Sequence, residues 1–147
     1  MAYISNADIE ERLGSDAYVQ LTDDDGDGVA DVGVVDEARQ GAEGEVDSCL
    51  AKRYKVPVDV ESDGELAALL ASIALDLVEF RLRSRRPPIP DEAKAQAKRA
   101  REWLQDVANG TAELASAERL ESGYVPGPIS QSSGEPRMLS HDELSSY

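Results

Sequence analysis

At 147 residues the chain has room for one domain with a modest core and not for a second. A net charge of −15 excludes a general nucleic-acid binder, which needs Lys and Arg to displace phosphate counterions. No run of about 18 apolar residues exists to span a bilayer, and Met1-Ala2-Tyr3-Ile4-Ser5 lacks the basic-then-apolar order of a leader, so a soluble, intracellular protein with no membrane partner is expected.

The first predicted helix opens at Ser5, whose side chain can cap it while Asp8 reaches back to the cap. Ile4 and Ile9 are placed to pack across that cap, and Leu13-Gly14 closes the helix because glycine accepts a positive φ. Residues 16–21 are read as one further turn. Thr22-Asp23-Asp24-Asp25-Gly26-Asp27-Gly28-Val29-Ala30-Asp31 follows, with acidic oxygens at alternating positions around glycines. Against a calcium-binding EF-hand loop, Asp23, Asp25 and Asp27 fall at ligand positions one, three and five. Val29 falls at the backbone-carbonyl position and Asp31 at position nine. The twelfth position, which should carry a bidentate glutamate, is Val34. The same residues also suit a tight solvated turn, since Asp caps its own backbone and Gly supplies φ > 0. No cofactor is required on this reading; calcium is the one candidate.

Val35, Ala38, Ala42, Val46, Cys49 and Leu50 recur at three- and four-residue steps and predict a helix over residues 34–53. Gly41 and Gly44 each weaken it by roughly 1 kcal/mol relative to Ala, unless they mark a close neighbouring backbone. Cys49, the single cysteine, reads as a small buried apolar residue. Pro57 ends this segment. Ser62 with Glu65 predicts a second capping box, after which Leu66, Leu69, Leu70, Ile73, Leu77 and Phe80 form an apolar stripe. That helix runs into Arg81, Arg83, Arg85 and Arg86, where cations suit the negative helix end, and stops at Pro87-Pro88. Pro90 is expected at the first position of the last helix, whose inner face is Ala93, Ala97, Ala100, Leu104 and Val107, with Gly110 as the stop. Trp103 reads as core or subunit contact.

From Thr111 onward Gly, Pro and Ser dominate. The anchors Tyr124, Val125, Ile129, Met138, Leu139, Leu144 and Tyr147 are nevertheless too many for a plain spacer, which points to an arm that orders on a partner. The expected fold class is therefore all-α, a small bundle of four main helices with long loops and an extended C-terminal arm. The expected domains are a helical body over 1–110 and the arm over 111–147. Charge is uneven: residues 1–80 carry 5 Lys/Arg against 20 Asp/Glu, while residues 81–101 carry 8 against 2. In a ring of identical subunits the basic block of one copy, Arg81, Arg83, Arg85 and Arg86, would meet the acidic half of the next; in a monomer it would form internal ion pairs. No nucleophile constellation surrounds the one histidine, His141, and no enzyme is indicated.

Four pieces in order are similar to the Mu-like phage head-to-tail connector family, also called head-completion or adaptor proteins. The start Tyr3-Ile4-Ser5 to Leu13-Gly14 resembles its first helix, and Arg53-Tyr54-Lys55-Val56-Pro57-Val58 resembles its Arg-Tyr-x-x-Pro-hydrophobic signature. Residues 100–111, from Ala100 through Trp103 to Gly110-Thr111, are similar to its helix end. Arg137-Met138-Leu139-Ser140-His141-Asp142-Glu143-Leu144 resembles an element near its C-terminus, with Leu139 in place of an aromatic and His141 in place of a basic residue. The resemblance implies a structural, non-enzymatic subunit of a homo-oligomeric ring, expected to be a dodecamer. That ring would sit in the virion neck at the portal vertex, after synthesis in the host cytoplasm. Its implied partners are other copies of itself, the portal protein and a tail-side neck or tail-terminator protein, with DNA passing through without sequence-specific binding. The arm, through Tyr124, Val125, Ile129, Arg137, Met138, Leu139, Leu144 and Tyr147, is the expected portal or intersubunit contact. The alternative is a calcium-binding helical interaction module built on residues 23–31.

Overall fold

The computed structural model describes residues 2–120, which form five helices: α1 Asn6–Leu13, α2 Ser15–Thr22, α3 Val32–Leu50, α4 Gly64–Ser84 and α5 Asp91–Asn109. Among the described residues there is no strand, only an isolated antiparallel bridge between Tyr54 and Arg119. The segment read as a single turn is a full helix, α2. Gly14, at φ 80° and ψ 147°, ends α1 and begins α2 in one residue, a conformation that a side chain would strain. Tyr18, Leu21 and Thr22 give α2 a buried face, and Thr22 Oγ1 donates to Tyr18 O at 2.6 Å.

The start of α1 is as expected. Ser5 Oγ accepts from Asp8 N at 3.3 Å, the Asp8 carboxylate accepts from Ser5 N at 2.7 Å, and Ile4 and Ile9 are both buried. Helix α4 is capped differently. Asp63, not Ser62, is the N-cap, its carboxylate accepting from Glu65 N at 2.9 Å and Leu66 N at 3.2 Å. With Gly64 as first helical residue, Asp63 alone stands where its oxygens meet those amides, and its charge suits the positive helix end. Pro90 likewise sits one residue earlier than expected, as the N-cap of α5.

Helices α3, α4 and α5 pack on one another, and α1 and α2 lie against α3 and α4. The core runs through Val35, Ala42, Val46 and Leu50 of α3, Leu70, Leu77, Val78 and Leu82 of α4, and Ala97, Leu104 and Val107 of α5. All five predicted inner-face residues of α5 are buried, and three of them are alanines, whose small side chains let a helix lie close against two others. Leu69 leaves the stripe and is 40% exposed, because the buried row of α4 passes through Leu66, Leu70, Ile73, Ala74 and Leu77. Gly110 closes α5 in the left-handed region at φ 85°.

Residues 111–120, assigned to the arm on composition, are packed on the helical body. Leu114 is buried and its N–H donates to the hydroxyl of the fully buried Tyr54 at 2.9 Å. Two backbone bonds follow, Lys55 N to Glu118 O and Leu120 N to Arg53 O, each at 2.9 Å. Tyr124, Val125, Ile129, Arg137, Met138, Leu139, Leu144 and Tyr147 lie outside the described residues, as does His141.

Candidate functional site

The basic end of α4 meets acidic groups of its own chain. Arg81 Nη2 lies 3.0 Å from Glu45 Oε2, and Arg101 Nε of α5 lies 2.6 Å from Glu45 Oε1, so one carboxylate on α3 ties α4 and α5 together. Burial alone would raise Glu45, but the hydrogen bonds from Arg101 and then Arg81 outweigh it and hold the carboxyl below its ordinary 4.5. Arg83 pairs with Glu79 at 2.8 Å, and Glu79 also receives Arg12 of α1 at 3.3 Å. Arg85 donates to Leu21 O at 2.8 Å and pairs with Asp24 at 2.6 Å; Arg86 donates to Asp23 O at 2.6 Å. Each of the four arginines expected at a ring contact thus has a partner within the chain. Lys52 and Arg99, both exposed, form no ion pair among the described residues.

Glu45 is the residue that sequence reasoning passed over. Its signal was spacing: Gly41 and Glu45 stand at i and i+4, on one face of α3, and both face Arg81. A Cβ on Gly41 would lie 2.9 Å from Arg81 Nη1, so what comes close at Gly41 is a guanidinium rather than a backbone. Gly44 has open space around it and marks no approach.

The acidic loop is braced by its own amides. Asp23 accepts from Gly26 N at 2.7 Å and Gly28 N at 2.9 Å, Asp25 from Asp27 N at 3.1 Å, Asp27 from Val29 N at 2.8 Å, and Asp31 from Asp24 N at 2.8 Å. Gly26 and Gly28 take φ of 81° and 83°, which the turns require. The Gly28 amide, ahead of other contributions, lowers the Asp23 carboxyl. For Asp25 the Asp27 amide acts downward, but desolvation and the charges of Asp27 and Asp31 prevail and raise it. Asp23, Asp25 and Asp27 each offer an oxygen within 4.8 Å of the others, a spacing that oxygen ligands of calcium could use. Val29 is exposed, so its carbonyl position lies on the loop surface, whereas Val34, at the twelfth position, packs half-buried in the first turn of α3.

Two tyrosines explain the motifs at either end of the body. The Tyr3 hydroxyl donates to Asp47 Oδ1 and accepts from Val58 N at 3.0 Å, while Tyr3 N donates to Glu43 at 2.8 Å. Burial, then the Asp47 hydrogen bond, pushes the phenol well above its ordinary value, so it remains a donor. Tyr54, from the Arg-Tyr-x-x-Pro stretch, is the seat for Leu114. Both are structural anchors that pin loose chain to the end of α3.

Between α3, α4 and α5 lies an open groove of about 440 Å³. Val34, Ala38 and Phe80 give it an apolar floor, and Arg81, Arg85 and Arg101 stand around it, the Arg101 guanidinium lying 5.1 Å from the Phe80 ring centre. Cys49 is a half-buried free thiol and Trp103 packs half-buried on the core.

The described residues form a small all-helical body held by internal ion pairs, and no described helix is long and apolar enough to cross a membrane. Residues 3–124 match the family described as Bacteriophage Mu, Gp36, and the chain belongs to that family. It is a phage protein of structural type. No curated protein matches it. The match ends before the 137–144 element, whose resemblance therefore stands on its own residues.

Proposed function

We propose that this protein is a subunit of a head-to-tail connector ring, joining the portal to the tail and lining the channel through which DNA passes. The observation that carries the reading is the family match over residues 3–124. Two physical features support it. A chain of net charge −15 suits a channel lining, because like charge keeps a sliding duplex from sticking. Apolar anchors spread through a Gly- and Pro-rich segment suit an arm that docks on the portal or a neighbouring copy.

The structure-based expectation for the ring differs in one respect from the sequence-based one. Arg81, Arg83, Arg85 and Arg86 brace the monomer, so reversing their charge would first weaken the fold. Truncation after Gly123 is the cleaner test, since the described body closes on itself by Leu120. The truncated chain is expected to keep its helical content and to lose incorporation into particles; normal incorporation would defeat the proposal.

A calcium brace at the acidic loop is a second, subordinate reading, favoured by the three converging carboxylates of Asp23, Asp25 and Asp27. Titration calorimetry decides it. Saturable heat with calcium that disappears in Asp25→Asn supports the brace, and absence of heat retires it.

A further inference from the structure

Asn6 and Asn109 are the two asparagines of the chain, and their settings differ. Asn6 is half-buried in the first turn of α1, its side-chain amide donates to Asp36 Oδ1 at 2.9 Å, and Ala7 follows it. Asn109 is exposed as the last residue of α5, and Gly110 follows it. A glycine has no side chain to obstruct the approach of its nitrogen to the preceding side-chain carbonyl, and its backbone turns the most freely. The Gly110 N–H is shared between Asp106 O and Val107 O and lies 3.2 Å from the latter, a long bond at the end of the helix ladder.

Arg53 stands against this turn. A Cβ on Gly110 would meet its Nη1 at 2.6 Å, that buried Nη1 has no acceptor among the described residues, and the pair with Glu113 is long at 3.7 Å. A negative charge arising at residue 109 would be unfavourable at the C-terminal end of a helix dipole. A guanidinium packed against the next residue offsets it.

We infer that Asn109 is a site of spontaneous deamidation in the folded protein, with Arg53 offsetting the charge of the product. When the last turn of α5 frays, the Gly110 nitrogen attacks Asn109 Cγ and the N–Cγ bond forms. The proton passes to the side-chain nitrogen, which leaves as ammonia, and a five-membered succinimide remains. Water then adds to either ring carbonyl and breaks its bond to nitrogen, giving aspartate or isoaspartate, so that one water is consumed and one ammonia released. No other reactant is needed. The result is a slow, one-way gain of negative charge at the joint between α5 and residues 111–120. This chemistry goes beyond the connector reading and does not depend on it.

The test incubates the full chain at neutral pH beside a synthetic peptide of residues 102–119 as the unfolded reference, and follows both by mass spectrometry with electron-transfer fragmentation. Helix ends open at almost no free-energy cost, so residue 109 of the folded chain is expected to gain about 1 Da at no less than about a tenth of the peptide's rate, while Asn6 keeps its mass. Isoaspartate is expected among the products, and Asn109→Gln is expected to abolish the gain. A slower gain than that, none at all, or a gain at Asn6 as fast as at Asn109 would each overturn the inference. The Asn109→Asp chain reads the setting of the product. Its thermal midpoint at neutral pH is expected to match or exceed the parent's, and a fall would overturn the role given to Arg53.

Discussion

Glu45 shows how much one carboxylate can organise when two cations converge on it. It sits on α3, yet its bonds reach Arg81 on α4 and Arg101 on α5, the two helices that share the core with it. Its carboxyl is held below 4.5 in the folded chain, so the unfolded chain takes up the proton first as pH falls. The stability it lends is complete above about pH 4.5 and is lost as pH drops through the folded value. Glu45→Gln is expected to lower stability at neutral pH and to flatten this part of the acid limb, read by urea denaturation over a pH series. An acid limb of identical shape in both proteins would remove Glu45 from the account. The sequence made Ser5, Asp8 and Gly110 legible because their partners lie within a few residues. Glu45, Tyr3 and Tyr54 were not legible as anchors, because their partners are dozens of positions away and depend on how helices cross.

Helix α3 contains a natural comparison between its two glycines. Gly44 is exposed with open space around its absent Cβ, so Gly44→Ala removes backbone freedom from the unfolded chain and meets nothing in the folded one. It is expected to stabilise the protein by about 0.5–1 kcal/mol. Gly41→Ala carries the same helical gain but pushes a methyl to 2.9 Å from Arg81 Nη1, whose guanidinium is already held by Glu45. Its gain in thermal midpoint should be clearly smaller; equal gains would mean that Arg81 yields freely. At this scale the sequence was a good guide where periodicity ran long. The inner face of α5 is as predicted residue for residue, whereas α2 was underestimated because eight residues give too few periods to separate a helix from a turn. The cap of α4 was displaced by one residue, since Ser62 and Asp63 are both good caps and only the helix ladder chooses between them.

Across the whole molecule, 30 acidic and 15 basic side chains leave repulsion as the long-range electrostatic fact. The ion pairs around the end of α4 are mostly half-exposed and individually contribute little, on the order of 0–1 kcal/mol. Screening relieves the repulsion of the whole chain more than it weakens those few pairs. The thermal midpoint is therefore expected to rise from low to moderate salt, and a fall would show that the pairs outweigh the net charge. The all-helical class was legible from alanine-rich, aromatic-poor composition, and the family from an ordered set of short motifs. The attachment of residues 111–120 was not, because they look like arm in composition and are held by Tyr54 and two backbone bonds.

That last attachment has a mechanical consequence. Residues 118–120 run antiparallel to residues 53–55, with the Leu120 bond to Arg53 outermost and the Lys55 bond to Glu118 next inward. Tension arriving from beyond Leu120 therefore loads these bonds one after another, as a zipper is opened, instead of together. Opening the Leu120 bond and then the Glu118 bond would release residues 118–120 while Leu114 stays seated on Tyr54.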